Sequence, residues 1–517
     1  MPGGEGWTVT AGNVLYITVD QWRGDCLSAA GHAVVQTPNL DRLAARGVRF
    51  ANHWSVAAPC GPSRASLHTG LYPMNHGSVA NGTPLNDRFT NIAREARTAG
   101  YDPVLFGYTD TSVDPRTVTD PDDPRLRDYE GVLPGFTPEV VLTSRDLSPW
   151  AAWLVAQGIE VPANPRDLYL PVEGYRGADD HQPSWTPTRF QAEHSETAFL
   201  TAEVMTWLDG RAGEAWFAHV SYIRPHPPYR APEGYHDLYD PADGDPFRRA
   251  GERQDETSMH PLHAAAVSQV GCPETEAEAR QLRATYWGNM AEVDHQLGVL
   301  LDHLDASGHA ASTLIVLTSD HGDQMGDHWL VEKLGWWDES YYVPLIVVDP
   351  GPEAQSTRGK VVESFTESVD VMPTLCEWLG IEVPVEVDGR ALQPFLHGPD
   401  VPADWRTEVH WQWDFRDPVN HVMEDHLGLT MEQCCLDVVR SATHKFVNFG
   451  DGGRLFFDLT EDPDQLIDRS TDPTASLEMI DAMGRLLTWR QRHDDRTLTG
   501  TRVTFKHGLV TRRDPRR

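Results

Sequence analysis

Apolar and polar positions along the chain alternate between two rhythms, one of strands and one of helices. Val14-Leu15-Tyr16-Ile17-Thr18-Val19 is a nearly unbroken β-branched and aromatic run that stops at Asp20. Such a run suits an interior strand of a mostly parallel sheet covered on both faces. Thr37-Pro38 then supplies an N-cap and a first-turn proline, Leu40, Leu43 and Ala44 mark one helical face, and Gly47 ends the helix. The pattern continues with a stripe at Leu200, Val204, Trp207 and Leu208 before Gly210, and a strand over 216–220. Met290, Val293, Leu297, Leu300 and Leu304, spaced by three and four, predict the cleanest helix, closed near Gly308. Strands over 313–318 and 344–348 follow, the first running into Ser319-Asp320-His321-Gly322. The expected fold class is α/β, a large domain whose mostly parallel central sheet is flanked by helices and joined by right-handed crossovers.

Two regions break the rhythm. From about Asp114 to Glu193 the chain is rich in Pro, Asp and Arg and lacks sustained periodicity, which predicts functional loops or an addition to the main domain. A boundary is expected near His397-Gly398-Pro399-Asp400, dividing a catalytic domain (1–398) from a smaller C-terminal subdomain (399–517). In the latter, HKFVNFGDGGRLFFDLTEDP reads as two strands around an Asp-Gly-Gly turn, the form expected of a small antiparallel sheet. Residues 477–489 read as a terminal helix, and TRVTFKHGLVTRRDPRR as a basic arm.

Composition narrows the function. The 517 residues include 43 Lys and Arg against 77 Asp and Glu, a net charge of −34, which argues against a nucleic-acid partner. With 40% hydrophobic residues there is ample material for a core. No apolar run approaches the roughly 18 residues of a spanning helix, and the N-terminus lacks the basic region and cleavage site of a secretory signal. Six cysteines make no zinc spacing and are too sparse for a disulfide scaffold. The expectation is a cytoplasmic, reduced protein with no membrane partner.

In open α/β sheets, ligands bind beyond the carboxyl ends of the strands. Two strands here end in Asp20-Gln21 and Asp320-His321, whose donors can converge on one divalent cation, although either pair alone can equally cap a helix. A third element is Ala58-Pro59-Cys60-Gly61-Pro62-Ser63-Arg64-Ala65-Ser66-Leu67, continued by Thr69-Gly70-Leu71-Tyr72-Pro73. With it, the sequence resembles the sulfatase branch of the alkaline-phosphatase-like superfamily. Cys60-Gly61-Pro62-Ser63-Arg64 matches that family's Cys-x-Pro-Ser-Arg motif, whose cysteine is oxidised to formylglycine by a formylglycine-generating enzyme.

The resemblance implies a metal held by Asp20, Gln21, Cys60 as formylglycine, Asp320 and His321. It implies that Arg64 holds the nucleophile, that His226 in Arg224-Pro225-His226-Pro227-Pro228 binds substrate, and that Lys333 faces the transferred group and leaving oxygen. LFFDLTEDPDQLIDR resembles the closing segment of sulfatases. The most familiar sulfatases carry Asp-Asp and Asp-Asn pairs suited to Ca²⁺; an imidazole at position 321 favours a transition-type ion such as Mn²⁺. That variation resembles the phosphonate monoester hydrolase/phosphodiesterase group, as do Asn81-Gly82-Thr83-Pro84-Leu85 and Gly107-Tyr108-Thr109-Asp110-Thr111, which implies Asn81, Tyr108, Thr109 and Thr111 as substrate-binding residues.

A pocket with one cation, Arg64 and Lys333, and no further lysine over 108–111, should prefer monoanions. The expected function is therefore hydrolysis of a small-molecule ester, a phosphonate monoester or phosphodiester, with sulfate esters as a secondary activity. An arylsulfatase using the same nucleophile is the alternative; a non-catalytic scaffold is disfavoured because every motif residue is present. The chain contains no phosphate-binding P-loop or Gly-x-Ser-x-Gly elbow. His328 reads equally as a pocket residue or an ordinary polar group, Trp336-Trp337 as a substrate wall or as core or subunit contact, and Asp294 as structural. The basic arm on an acidic chain, together with the resemblance, predicts a homo-dimer or dimer-based tetramer.

Overall fold

The structure, a computed structural model, describes residues 12–211, 213–398, 400–495 and 497–511. Eight strands make the principal sheet: β1 (Asn13–Val19), β2 (Val48–Trp54), β3 (Val104–Gly107), β4 (Thr137–Val141), β5 (Phe217–Tyr222), β6 (Thr313–Ser319), β7 (Leu345–Val348) and β8 (Lys360–Glu367). Their order is β4-β3-β5-β1-β6-β7-β2-β8. The apolar runs of β1, β5 and β6 are buried along their whole length, as sheet faces covered on both sides require. β1 lies between β5 and β6, parallel to both, with Val19 level with Tyr222 and Ser319. The strand ends that carry Asp20 and Asp320 are thereby brought side by side. β7 is the exception to the parallel pattern, running antiparallel to both β6 and β2.

Helices form where the periodicity places them. α1 (Pro38–Arg46) buries Leu40, Leu43 and Ala44, and its first amides, Asn39 N and Leu40 N, donate to the Asp294 carboxylate at 3.1 and 2.8 Å. Asp294 is thus a structural cap. α2 (Cys60–Thr69) follows β2. The Pro- and Asp-rich stretch, expected as functional loops or an addition to the main domain, holds the edge strand β4 and α3 (Ser148–Ala156). Both escape periodicity for physical reasons. β4 is half-exposed at an edge, and α3 (SPWAAWLVA) is apolar nearly all round. α4 (Glu196–Asp209) and the long α5 (Glu276–Ser307) match the predicted stripes, the latter ending at Gly308 with φ 78°.

A second sheet is antiparallel, ordered β12-β11-β10-β9, from β9 (Glu408–Asp414), β10 (Cys435–Ser441), β11 (His444–Phe449) and β12 (Arg454–Asp458). Alternation splits its side chains between two faces. Val439, Phe446 and Phe456 pack under Ala482, Leu486 and Trp489 of α6 (Ser476–His493). Val438, Val447 and Phe457 pack instead against Trp336, Trp337 and Leu262 of the larger unit. Trp336 and Trp337 are fully buried in that seam, so they are neither a substrate wall nor a subunit contact. A short hairpin, β13 (Thr501–Thr504) and β14 (Gly508–Thr511), ends the described chain. Among the described residues no helix is long and apolar enough to cross a membrane.

Candidate active site

Four adjacent strands, β3-β5-β1-β6, deliver their carboxyl ends to one buried point. Asp20 and Gln21 follow β1, Asp320 and His321 follow β6, Arg224 and His226 follow β5, and Tyr108 follows β3. Gly107 closes β3 at φ 104°, and a Cβ there would run into the Ser221 carbonyl oxygen, so glycine alone lets β3 approach β5 this closely. Cys60 enters from the side as the first residue of α2, where the helix N-terminus favours negative charge.

Asp20, Cys60, Asp320 and His321 are all buried, and one ligand atom from each lies within 4.8 Å of the others. The Cys60 thiol stands 3.1 Å from His321 Nε2, which is also 3.8 Å from Asp20 Oδ1 and from Asp320 Oδ2. His321 Nδ1 lies 3.0 Å from the Gly322 carbonyl oxygen, which can only accept. The proton of the neutral ring therefore sits on Nδ1, leaving the Nε2 lone pair facing the cluster. Asp20 Oδ1 is buried without a hydrogen-bond partner. An orphaned carboxylate oxygen, a free imidazole lone pair and two further donors fit a divalent metal, and this cluster can coordinate one.

Arg64 holds the carboxylates in place. Its Nε donates to Asp320 Oδ2 at 2.9 Å and its Nη2 to Asp20 Oδ2 at 3.1 Å; Nη1 reaches Ser221 Oγ at 2.7 Å and the Tyr108 carbonyl at 3.2 Å. The Tyr108 hydroxyl donates to Asp20 Oδ2, and its ring lies under the guanidinium at 4.2 Å. Burial alone would push the Asp20 carboxyl up, but neighbouring positive charge, the Arg64 guanidinium and the Lys333 ammonium among it, holds it well below the usual carboxylate range. Burial, reinforced by Asp20, pushes the Cys60 thiol well up, so the unmodified side chain is a neutral thiol.

Gln21, in the left-handed region at φ 68°, donates its backbone N–H to Asp320 Oδ1 at 3.0 Å. Its side-chain oxygen accepts from Lys333 Nζ at 2.7 Å, and its amide nitrogen donates to Tyr229 Oη at 3.0 Å and to Asp323 Oδ2. Burial opposes the charge on Lys333, but Cys60, Glu332, Asp20 and Asp320 raise it, so the ammonium stays protonated. His226 is pushed down to about 4, by burial first and by Lys333 second, and is neutral near pH 7. Its Nδ1 lies 2.9 Å from the Pro227 carbonyl. Asn81 accepts from Gly61 N at 2.8 Å, steadying the turn beside Cys60. Thr109 and Thr111 are held within their own loop: Thr109 Oγ1 donates to the Gly131 carbonyl at 2.9 Å, and Thr111 Oγ1 lies 3.2 Å from Thr109 Oγ1.

Residues not assigned a role from the sequence complete the site. Asp110, buried at φ 49°, has Oδ2 3.9 Å from Arg64 Nε, and burial pushes its carboxyl well up. Asp323, Tyr229 and Ser221 join only through the tertiary fold. His328 settles as a structural group outside the cluster. It stacks on Trp337 at 3.7 Å and pairs with Glu256 at 2.9 Å and Glu339 at 3.4 Å, anchoring the segment between His321 and Lys333. Burial opposes its charge, but the two carboxylates raise it to about 9 from an ordinary 6.5. A raised folded value means stabilisation present below about pH 6.5 and lost as pH rises through about 9, worth up to about 3 kcal/mol. His328→Gln is therefore expected to be less stable than wild type at pH 6, the gap closing by pH 10. Denaturant melts across that range check this, and a gap independent of pH would contradict it.

Parallel strands that carry two carboxylates, an imidazole and a helix-borne cysteine to one buried point define a hydrolase of the sulfatase and phosphoesterase type. The Sulfatase family model matches residues 12–381, and the chain belongs to that family within the alkaline-phosphatase-like superfamily. A model described as N-sulphoglucosamine sulphohydrolase, C-terminal, matches residues 326–491. The multifunctional alkaline phosphatase superfamily protein PehA of Trinickia caryophylli is 40% identical, over 98% of this chain and 100% of its own. The phosphonate monoester hydrolase structure from Agrobacterium radiobacter has a TM-score of 0.92 at 43% identity, covering 97% of this chain and 100% of that one. The phosphonate monoester hydrolase from Silicibacter pomeroyi gives 0.91 at 38% identity, with 97% and 99% covered.

Proposed function

We propose that the protein is a formylglycine hydrolase of monoanionic esters, cleaving phosphonate monoesters and phosphodiesters and, secondarily, sulfate esters. The full-length likeness to two phosphonate monoester hydrolases carries this reading. Asp20, residue 60, Asp320 and His321 would hold one divalent ion, with Gln21 proposed as a further ligand and Mn²⁺ favoured over Ca²⁺ by the imidazole. Bound there, the ion supplies Lewis-acid polarisation, and residue 60 as a hydrated aldehyde supplies one hydroxyl for attack and a second for product release. Arg64 orients residue 60 and pairs with Asp20 and Asp320, holding both carboxylates in place. The Lys333 ammonium stabilises charge on the transferred group, with Asn81, Tyr108, Thr109 and Thr111 proposed to shape the anion pocket. His226, neutral at the working pH, is suited to move a proton at the leaving oxygen. A formylglycine-generating enzyme is the implied maturation partner, and the chain is proposed to act as a homo-dimer or tetramer. Its six cysteines are unpaired, in keeping with a cytoplasmic setting, and residues 1–398 and 399–517 are proposed as its two domains.

The test compares a phosphonate monoester, a phosphate diester, an aryl sulfate and a phosphate monoester that share one phenolic leaving group, at fixed pH with saturating Mn²⁺. In kcat/KM the phosphonate and diester are expected first and the dianionic phosphate monoester last. A sulfate preference of about two decades, or about 3 kcal/mol in the transition state, would make the protein an arylsulfatase. A phosphate-monoester preference would defeat the charge argument.

A further inference from the structure

One buried carboxylate beside the cluster neither ligates nor reacts, yet the site is bonded to it from several directions. Asp323 is fully buried in the loop after β6, two residues beyond His321. Its Oδ1 accepts from Met325 N and Glu332 N, each at 2.9 Å. Its Oδ2 accepts from the Tyr229 hydroxyl at 2.6 Å and from the Gln21 side-chain nitrogen. All four partners donate, which fills the acceptor capacity of a carboxylate. Three of them, Gln21, Met325 and Glu332, stand in the left-handed region at φ 68°, 46° and 64°, a strained conformation for a residue with a side chain. Strain collected around one group is a mark of functional constraint.

The Gln21 amide shows what that constraint does. Its two ends have nearly the same shape, but only the oxygen carries a lone pair that a cation can use. The nitrogen donates to Tyr229 Oη at 3.0 Å and to Asp323 Oδ2, using both its hydrogens. Tyr229 in turn donates to Asp323, so the three side chains close a triangle. With the nitrogen captured, the oxygen is turned to Lys333 Nζ at 2.7 Å. The Gln21 backbone is pinned independently, its N–H by Asp320 Oδ1 at 3.0 Å and its carbonyl by the Tyr286 hydroxyl at 2.7 Å. Those backbone bonds leave open which end of the amide faces inward. Tyr229 and Asp323 decide it.

We propose that Asp323 is a positioning residue of this site: with Tyr229 it captures the Gln21 amide nitrogen and so presents the amide oxygen to the divalent ion and to Lys333. The inference rests on the reading of Gln21 as a metal ligand and adds what makes it one. Through its other oxygen Asp323 also ties Glu332, the residue before Lys333. One carboxylate thereby sets both a ligand and the ammonium that faces the transferred group. An asparagine at position 323 keeps the shape but accepts on one oxygen only. With that oxygen held by the two backbone amides, its NH₂ meets the Gln21 nitrogen donor to donor. The Gln21 amide then turns over and aims its own NH₂ at Lys333 and the ion.

Titration of the chelator-treated full chain with Mn²⁺, read by electron paramagnetic resonance of the free ion, tests it. Asp323→Asn is expected to raise the Mn²⁺ dissociation constant about 10- to 100-fold, and Tyr229→Phe, which removes one of the two captors, about threefold to tenfold. Gln21→Ala should weaken binding about as much as Asp323→Asn. In the Gln21→Ala background Asp323→Asn should add less than about twofold, because no amide is left to orient. The bound-ion spectra of Asp323→Asn and Gln21→Ala should match each other and differ from wild type, which lost packing alone would not produce. Far-UV dichroism checks that each variant folds; if Asp323→Asn does not, Tyr229→Phe with and without Gln21→Ala carries the same cycle. Equal weakening by Asp323→Asn in both backgrounds, or none in either, would overturn the positioning role while leaving Gln21 a ligand. Unchanged Mn²⁺ affinity in Gln21→Ala would overturn both.

Discussion

Cys60→Ser is expected to abolish sustained turnover, by about a thousandfold or more, while leaving the fold intact. The thiol is 4% exposed at the start of α2 and 3.1 Å from His321 Nε2, and a hydroxyl fits the same space with the same donor role. What serine lacks is the second hydroxyl that a hydrated aldehyde would use to expel the transferred group. The variant should therefore release one phenol per chain and then stop, with the phosphonyl group retained on the introduced hydroxyl oxygen as a mass increase of the peptide. Stopped-flow absorbance and peptide mass measure the two halves. Undiminished steady turnover in the serine variant, or only unmodified cysteine in a fully active wild type, would end the formylglycine reading.

Arg64→Met should be the most damaging single change to stability at the site. The guanidinium is fully buried and touches Asp20, Asp320 and, at 3.9 Å, Asp110. Removing it strands two carboxylates without their countercharge, a loss of about 3–5 kcal/mol for a broken buried pair. Arg64→Lys should recover part of that by restoring charge, but a single ammonium cannot span both carboxylates and Tyr108 at once. Activity should fall in both variants. Urea unfolding with and without Mn²⁺ checks this: saturating metal should narrow the Arg64→Met deficit by neutralising the same carboxylates. A deficit below about 1 kcal/mol without metal would show that Asp20 and Asp320 find other compensation.

Much of this site can be read from the chain because its reacting groups sit at the ends of apolar runs. The runs ending at Asp20 and Asp320 declare interior strands, and Cys60 to Arg64 stand within one contiguous motif. Asp323, Tyr229 and Ser221 announce nothing locally, and Asp110 stands within a telling segment without a role of its own; Asp323 matters because the fold lays it beside the Gln21 amide, 302 positions away. Strand direction is equally silent, since Leu345–Val348 is the same apolar run whether parallel or antiparallel. Thr109 follows Tyr108 in the chain, and its hydroxyl bonds Gly131 and Leu133 where the Tyr108 hydroxyl bonds Asp20. Sequence proximity to a site residue says nothing about which way the next side chain turns, because successive positions diverge.

The pairing of β1 with β6 joins residues 300 positions apart, with Asn13 level with Thr313. Asp20 and Asp320 meet only when that ladder has closed, so no short fragment of the chain can chelate an ion through this set. In a zinc finger the ligands sit close in sequence and the ion organises a loop; here the ion would report on the topology of the whole sheet. Non-local pairings of this kind form late and cost the most loop entropy. Metal affinity in this fold is consequently a global property: loosening the β1–β6 seam anywhere along its seven rungs would weaken the cage as surely as changing a ligand.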